Sequence, residues 1–273
     1  MSGRLTLSPR LRTGANLVVN FAQRESKARY KRSVLGWLWS LINPLATVAV
    51  YSLVFGVIYK AAPPATANGR AETFALYLFS GLVVWNLFTG IVNGSMDWLR
   101  GVSDLRKKIY FPTETAVLGG AISTLVQSAL EALVLVAIMV ALLNVSWTVV
   151  FLPLALVSVA VFALGIGFVV AILNARYRDV QYLTGIALNV WFFSVPIVFT
   201  PAIVPERAYG LPVGRIIELN PLTQFVGFAR DAVYFLEVPS LGRIVAVVAW
   251  SVASFVPGWW YFRRKSMEIS EEP

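Results

Sequence analysis

Six long apolar runs constrain the fold of this 273-residue chain more than any other feature. A helix needs roughly 20 mostly apolar residues to cross the hydrocarbon core of a bilayer. Unbroken runs of that length favour helices over the short alternating strands of a membrane β-barrel. The runs cover residues 38–59, 74–95, 116–143, 149–173, 180–200 and 241–262. The sequence therefore predicts an all-α integral membrane protein with six transmembrane helices.

The composition excludes several classes of chemistry. Only 14% of the residues are charged, whereas a soluble domain carries about 25%. The chain contains neither His nor Cys, which excludes an imidazole base, a thiol nucleophile and a thiolate zinc site. No Lys follows a Gly, so the sequence lacks the glycine-rich loop that binds nucleotide phosphates. If the protein is a pump, another chain must bind the ATP.

The distribution of Lys and Arg predicts the orientation in the membrane. Six spans place both chain ends on one side, and that side carries 17 of the 23 basic residues. Because cytoplasmic loops hold an excess of Lys and Arg, we expect both termini in the cytoplasm. The net charge of +9 then reflects topology and anionic lipid rather than nucleic-acid binding. The expected parts are a cytoplasmic segment 1–37, a membrane domain 38–262 and a cytoplasmic tail 263–273.

The segment before the first apolar run has the pattern of an amphipathic helix. Within residues 16–35 early apolar side chains give way to basic ones, and a helix places Arg24, Lys27 and Lys31 on one face. We expect this helix to lie on the cytoplasmic leaflet and to turn into the first span near Gly36. The alternative is a disordered basic tail that only sets the topology. The basic residues of the expected interfacial helix are Arg24, Lys27, Arg29, Lys31 and Arg32.

Two loops differ from ordinary connections. Residues 96–115 carry charges of both signs, and Pro112 ends any helix there, so the loop either docks a partner or is merely solvated. The loop before the last run is about 40 residues long and far from hydrophilic. Its apolar residues recur at helical spacing between prolines. This pattern indicates either a short re-entrant helix that caps a pathway or a helix on the outer leaflet.

Glu131 is the only acidic residue well inside a predicted span. A charge in hydrocarbon costs about 2.5–3.5 kcal/mol or more, so this side chain should face the helix bundle or water. Gln127 and Thr124 lie one and two turns away on the same helical face. A proton relay normally needs further carboxylates at that depth, which disfavours coupled transport. A structural hydrogen bond explains Glu131 as well as a functional role does.

Aromatic and small residues also recur within the spans. Tyr51, Phe55 and Tyr59 follow one another at helical spacing on the first span. Aromatic faces stack on sugar rings, so a ladder of them would let a glycan slide, although membrane interfaces and helix packing are the usual reasons for such residues. The small residues of the fourth span permit close helix approach. They are Ala163, Gly165 and Gly167.

Several stretches of the sequence resemble a single family. RYKRSVLGWLWSLINPL (29–45) is similar to the start of the first span in membrane subunits of bacterial polysaccharide-exporting ABC transporters. Four later stretches resemble later parts of the family's sequences. They are DLRKKIYFPTE (104–114), NARYRDV (174–180), WFFSVPIVFTP (191–201) and LNPLTQFVGFARD (219–231). The resemblance covers nearly the whole chain in the family's order.

The resemblance implies a homodimeric permease of the inner membrane that binds two copies of a separate ABC ATPase. ATP and Mg²⁺ would bind that ATPase, so this chain would need no cofactor and would not be an enzyme. The substrate would be a lipid-linked polysaccharide of the O-antigen or galactan type. The main alternative is an ABC exporter permease for a small lipid, drug or antibiotic. A membrane-embedded glycosyl- or phosphotransferase would need paired acids in a motif, which this sequence lacks. A secondary flippase is disfavoured because Glu131 is the lone acid within the spans.

The resemblance also implies roles along the chain. Residues 98–111, the coupling segment, would fit a cleft of the ATPase, and residues 205–236, the gate segment, would limit leakage on the outside. The implied coupling residues are Trp98, Asp104, Leu105, Arg106, Lys107, Lys108 and Phe111. The implied gate residues are Leu222, Phe225, Arg230 and Asp231. The candidate pathway residues at the dimer centre are Tyr51, Phe55, Tyr59, Trp85, Phe88, Trp191 and Phe192.

Overall fold

The structure, a computed structural model, describes residues 9–31, 33–60, 62–106, 108–109, 111–208 and 210–268. Helices dominate this part of the chain, and its β-pairing is a single bridge between Ala208 and Leu211. The helices are α1 (Pro9–Tyr30), α2 (Trp39–Tyr51, continued by a π-helical stretch Ser52–Ile58), α3 (Phe74–Arg100), α4 (Ser103–Arg106), α5 (Glu114–Ala141), α6 (Phe151–Arg176), α7 (Val180–Ser194), α8 (Val213–Leu219), α9 (Pro221–Arg230, continued by a π-helical stretch Asp231–Phe235) and α10 (Leu241–Glu268). The prediction of an all-α membrane protein is confirmed.

Five helices of the described residues are long and apolar enough to cross a membrane, where the sequence predicted six spans. They cover Trp39–Ile58, Phe74–Leu105, Glu114–Ala141, Trp147–Arg176 and Leu241–Ser266. The difference lies in the predicted span 180–200, where α7 has only 15 residues.

Helix α7 ends early because of the residue that follows it. Val195 precedes Pro196 and adopts an extended conformation, which is the conformation that a following proline favours. A helix of 15 residues is about 22 Å long, whereas the hydrocarbon core is about 30 Å thick. Helix α7 alone is therefore too short to cross, and the remainder of the predicted span is not a regular α-helix.

Helix α3 lies at the centre of the protomer. It packs against α5, α6 and α9, and every residue from Phe74 to Val84 is buried. Three turns that are apolar on all sides can only be accommodated when other helices surround them. The core of the protomer therefore forms around α3.

Close helix contacts depend on the small residues of α6, as the sequence predicted. Gly165 of α6 faces Gly258 of α10, and a Cβ on either glycine would overlap the backbone of the other helix. Ser254 of α10 donates a hydrogen bond to the Phe162 carbonyl across the same contact, at 2.8 Å. Backbones that approach this closely gain van der Waals contact and interhelical hydrogen bonds, which drive helix association in lipid.

Helix α1 confirms the predicted amphipathic helix and begins earlier than expected, at Pro9. It packs along α5, where a Cβ on Gly119 would lie 2.8 Å from the Val18 carbonyl oxygen. The hydroxyl groups of Ser26 and Ser123 are 2.8 Å apart. The chain then turns toward α2 at Gly36, whose φ of +46° is disfavoured for other residues. The alternative of a disordered tail is therefore wrong for residues 9–30.

Candidate functional site

The coupling segment sits on a small apolar cluster of its own. Val102, Phe111 and Ala116 are buried together, and Leu17 and Phe21 of α1 pack against them. The rings of Phe21 and Phe111 have their centres 5.8 Å apart. Leu105 is partly buried against the same cluster. The cluster joins the segment to both α1 and the start of α5, so these three parts form one packed surface.

The polar side of the coupling segment faces outward. Asp104 and Lys108 are exposed, and Ile109 is 54% exposed. Trp98 instead lies over Gly94 and Gly120, where a Cβ would collide with its indole ring. It is thus a packing residue between α3 and α5. Lys107 and Arg32 lie outside the described residues.

The basic residues of α1 lie beside this surface. Arg24, Lys27, Arg29 and Lys31 are all exposed. Arg29 also donates a 3.3 Å hydrogen bond to Thr124 of α5. The predicted basic face therefore exists, and one of its members reaches back to the membrane domain.

Within the gate segment, helix α9 is preceded by Asn220, which is not among the predicted gate residues. The Asn220 side chain accepts hydrogen bonds from the Leu222 backbone, at 3.1 Å, and from the Trp191 indole, at 3.0 Å. Its amide also donates to the Ser194 carbonyl, at 3.3 Å. Asn220 thus caps α9 and ties it to the end of α7. An Asn directly before a Pro is a helix-start signal that could have revealed the cap, though not the tie.

Arg230 is the central residue of the gate segment, with only 3% of its surface exposed. Its guanidinium donates hydrogen bonds to the carbonyl groups of Pro196, at 2.6 Å, Ile197, at 3.2 Å, and Tyr77, at 3.1 Å. The guanidinium carbon lies 3.5 Å from the centre of the Tyr77 ring. Because α7 ends before Pro196, the Pro196 and Ile197 carbonyl groups have no helical partners. Arg230 donates hydrogen bonds to both of them and connects this segment to Tyr77 of α3.

Helix α9 lies inside the protomer rather than on its surface. Leu222, Phe225 and Val226 are each at most 1% exposed, and α9 packs against α3, α6 and α10. A helix lying flat on the outer leaflet would keep one face open to lipid or water. The contacts of α9 favour the re-entrant interpretation of this loop.

The outer end of the gate segment is fastened by polar contacts. Asp231 forms an ion pair with Arg243 of α10. Burial raises the pKa of the Asp231 carboxyl group, and the Arg243 guanidinium opposes that shift. Thr148 donates to the Ala232 carbonyl at 2.8 Å, and Asn144 to the Tyr234 carbonyl at 3.3 Å. The loop between α5 and α6 thus holds the segment, which no sequence pattern indicated.

The predicted pathway aromatics fall into two groups. Tyr51, Phe55 and Tyr59 stack along α2, and the Phe55 ring centre lies 4.7 Å from that of Phe74. Tyr59 is 71% exposed. The second group lies between α3 and α7, where Trp85 packs on Phe192, and Phe88 on Trp191.

The exposure of the pathway aromatics varies within both groups. Phe88 is fully buried and stacks on Phe162 of α6, so it belongs to the packed interior of the protomer. Tyr51, Phe55, Trp85, Trp191 and Phe192 are partly buried. Their assignment to a pathway stays a prediction.

Glu131 faces a cavity rather than the outside of the bundle. The cavity has a volume of about 330 Å³ and lies between α1, α2 and α5. The Asn86 and Gln127 side chains lie close to the Glu131 carboxyl group. Its Oε2 atom has no hydrogen-bond partner among the residues that the structure describes.

The sequence is similar to families and proteins of known character. Residues 17–234 match the family of ABC-2 type transporters. The O-antigen export system permease protein RfbA of Myxococcus xanthus is 28% identical over 93% of this chain and 94% of its own length. A protein of the same name from Klebsiella pneumoniae is 26% identical over 79% of both chains. The polysialic acid transport protein KpsM of Escherichia coli is 25% identical over 81% of this chain and 83% of its own length.

Proposed function

This chain belongs to the ABC-2 type transporter family, and we propose that it exports a lipid-linked polysaccharide as one half of a homodimer that two ABC ATPase subunits drive. It is a multi-pass membrane protein and the transmembrane subunit of an ABC exporter for polysaccharide. The observation that carries this function is the match to the M. xanthus O-antigen permease over nearly the full length of both chains. Because the relatives are named for polysaccharide transport, the alternative of a small lipid, drug or antibiotic is not favoured.

We place the protein in the inner membrane with both termini in the cytoplasm. The excess of Lys and Arg on the side of the chain ends supports this orientation. It requires an even number of crossings, so α7 and the segment after it must together form a sixth. Arg230 makes a short span workable, because it satisfies the Pro196 and Ile197 carbonyl groups beyond the helix end.

ATP hydrolysis is assigned to the partner ATPase, and this chain performs no covalent chemistry and holds no cofactor of its own. The coupling segment offers the ATPase exposed charges at Asp104 and Lys108 above a buried apolar base. Closure of the ATPase dimer would press on this surface. The polymer would then advance in steps while the gate segment limits leakage.

Helix α3 is suited to carry that push outward. Its 27 residues span about 40 Å, and its two ends meet the two moving parts. The coupling segment follows its C-terminal end, while Tyr77 near its N-terminal end contacts Arg230 of the gate segment. A straight helix transmits a displacement because its backbone hydrogen bonds resist compression.

The homodimer is proposed to form through α2 and α7, which bury few of their residues within the chain. The chain contains no Cys, so single cysteines report contacts without background. We expect Val190→Cys, on the exposed face of α7, to form a disulfide-linked dimer in native membranes. Val252→Cys, which is also exposed but lies on α10, serves as the control and should stay monomeric. Cross-linking through α10 alone would contradict the proposed interface.

The coupling role is tested by replacing Asp104–Lys108 with a neutral linker of equal length. We expect loss of ATPase capture and of export, while the detergent-purified protein keeps its unfolding temperature. A matched change, Lys60→Gln with Arg70→Gln in the exposed loop between α2 and α3, should leave both activities intact. Normal assembly and export by the linker variant would show that the coupling assignment is wrong.

A further inference from the structure

The cavity next to Glu131 is a built polar site within an otherwise apolar region. Its walls come from the end of α1, the start of α2 and the middle of α5. The lining residues are Arg29, Ser33, Trp39, Ser40, Asn43, Gln127 and Glu131. A volume of about 330 Å³ is within the range of small-molecule sites, about 300–1,000 Å³. Neither the coupling segment nor the gate segment includes these residues.

The polar groups of the cavity are ordered by contacts with one another. Ser40 is 2% exposed and donates a 3.2 Å hydrogen bond to Gln127. Gln127 and Asn86 in turn lie close to the Glu131 carboxyl group. Arg29 is held near the rim by its hydrogen bond to Thr124. A network of fixed donors and acceptors is the arrangement that recognises a polar ligand in a defined orientation.

The chemistry of the cavity favours a neutral ligand with several hydroxyl groups. One acid and one base line the cavity. A phosphate would be repelled by the Glu131 carboxylate, and a simple cation would be repelled by the Arg29 guanidinium. A carboxylate accepts hydrogen bonds from hydroxyl groups, and a carboxamide both accepts hydrogen bonds from them and donates to them. Trp39 at the start of α2 is 42% exposed and offers a ring face on which the apolar side of a sugar can stack.

We propose that this cavity binds one pyranose ring during export. The proposal rests on the proposed function and specifies where the substrate is recognised. In the proposed orientation the cavity lies in the cytoplasmic half of the membrane, because Trp39 begins the first span. The ring can come from two sources, the first sugar next to the lipid carrier or a sugar within the polymer.

Binding is measured with the intact complex of this chain and its ATPase in lipid nanodiscs. The probe is tritium-labelled octyl β-D-galactopyranoside, with empty nanodiscs as the background. We expect saturable binding that weakens about tenfold in Glu131→Gln, because the charged acceptor of a hydrogen bond to a hydroxyl group is lost. Trp39→Ala should weaken binding several-fold, whereas Trp39→Phe, which keeps a ring, should retain it. Arg70→Gln, in the exposed loop before α3, should bind like the wild type.

Competitors distinguish the two sources of the ring. Displacement of the probe by a lipid-free galacto-oligosaccharide assigns the site to sugars within the polymer. Displacement by unlabelled alkyl galactoside alone assigns it to the sugar next to the carrier. Displacement by octyl phosphate would overturn the proposal, because the site would then recognise a phosphate.

Two further results would also overturn the sugar site. One is equal binding by the wild type and Glu131→Gln, and the other is undiminished glycan export by Glu131→Gln together with Trp39→Ala. Both results leave the proposed function standing as long as the wild-type complex exports glycan. Failure of the wild-type complex to export would instead contradict the proposed function.

Discussion

Helices α2 and α3 have nearly the same hydropathy and opposite surroundings. The mean hydropathy of the most apolar 18-residue stretch is 2.0 in α2 and 1.8 in α3, yet 6% of those residues are buried in α2 and 78% in α3. In a membrane, lipid solvates apolar side chains as well as a neighbouring helix does. Hydropathy therefore identifies a span without indicating whether protein or lipid surrounds it.

The polar groups mark the difference between the two helices. Helix α3 is joined to the gate segment by Arg230, whose partners are all buried. In the first turns of helix α2, Ser40 and Asn43 line a cavity. The interior of the protomer is thus specified by hydrogen bonds, and the exposed α2 remains available for lipid or a second protomer.

Replacing Arg230 should have the largest effect on stability. Arg230→Ala leaves the buried Pro196 and Ile197 carbonyl groups without their donor, at about 1–3 kcal/mol each, and removes the guanidinium from the Tyr77 ring, so we expect the unfolding free energy to fall by roughly 3–5 kcal/mol. Arg230→Lys should recover only part of the loss, because one ammonium cannot match the fork of a guanidinium. Denaturant titration in mixed micelles measures both.

Arg215→Ala is the control for that experiment, because Arg215 is exposed on α8. It should change the unfolding free energy by less than about 0.5 kcal/mol. If Arg230→Ala were equally neutral, the gate segment would not be locked to α3 in the way its contacts indicate.

A matched pair of leucines compares α3 with α2 directly. Leu87 on α3 is fully buried, while Leu53 on α2 is 56% exposed. Leu87→Ala should cost roughly 2–3 kcal/mol through the cavity that it leaves. Leu53→Ala should cost less than about 0.5 kcal/mol in the isolated protomer. A larger cost for Leu53→Ala in the assembled complex alone would show that a second protomer covers α2.

A matched pair of glycines should give effects of opposite sign. A Cβ on Gly167 of α6 would crowd the buried Ser95 of α3, whereas nothing lies within 4 Å of a Cβ on Gly185 of α7. Gly167→Ala should therefore destabilise the protein by about 1–2 kcal/mol. Gly185→Ala should be neutral or stabilise it by up to about 1 kcal/mol, because Ala favours helix. Equal effects would mean that the surroundings of Gly167 and Gly185 are equally packed.

The sequence predicted where the helices lie better than it predicted which other helices they pack against. Apolar length and the proline at position 112 located the spans and the end of the charged loop, because these are local properties. The early end of α7 was missed because the run stays apolar through Val195 and Ile197, which are buried against other helices. Hydropathy does not register a change from helix to extended backbone.

The polar contacts of the gate segment depend on the tertiary fold. Arg230 contacts residues more than 30 positions away, at Tyr77 and Pro196, and no spacing in the sequence reveals such a pair. In the sequence Asn144 and Thr148 are indistinguishable from ordinary turn residues. Their hydrogen-bond acceptors lie in the π-helical stretch after α9, which only the tertiary fold brings close. The contacts of Trp98 with Gly94 and Gly120 also depend on the tertiary fold, while its assignment to the coupling segment stays a prediction.

The central claim is that this chain exports polysaccharide only together with an ABC ATPase. Its most direct test reconstitutes both proteins in liposomes that carry the lipid-linked glycan and measures how much glycan becomes accessible to a glycosidase on the far side. The account predicts an ATP-dependent rise that requires both subunits and is lost when Asp104–Lys108 is replaced by a neutral linker. Transfer without ATP, transfer without this chain, or no transfer by a stably assembled complex would contradict it.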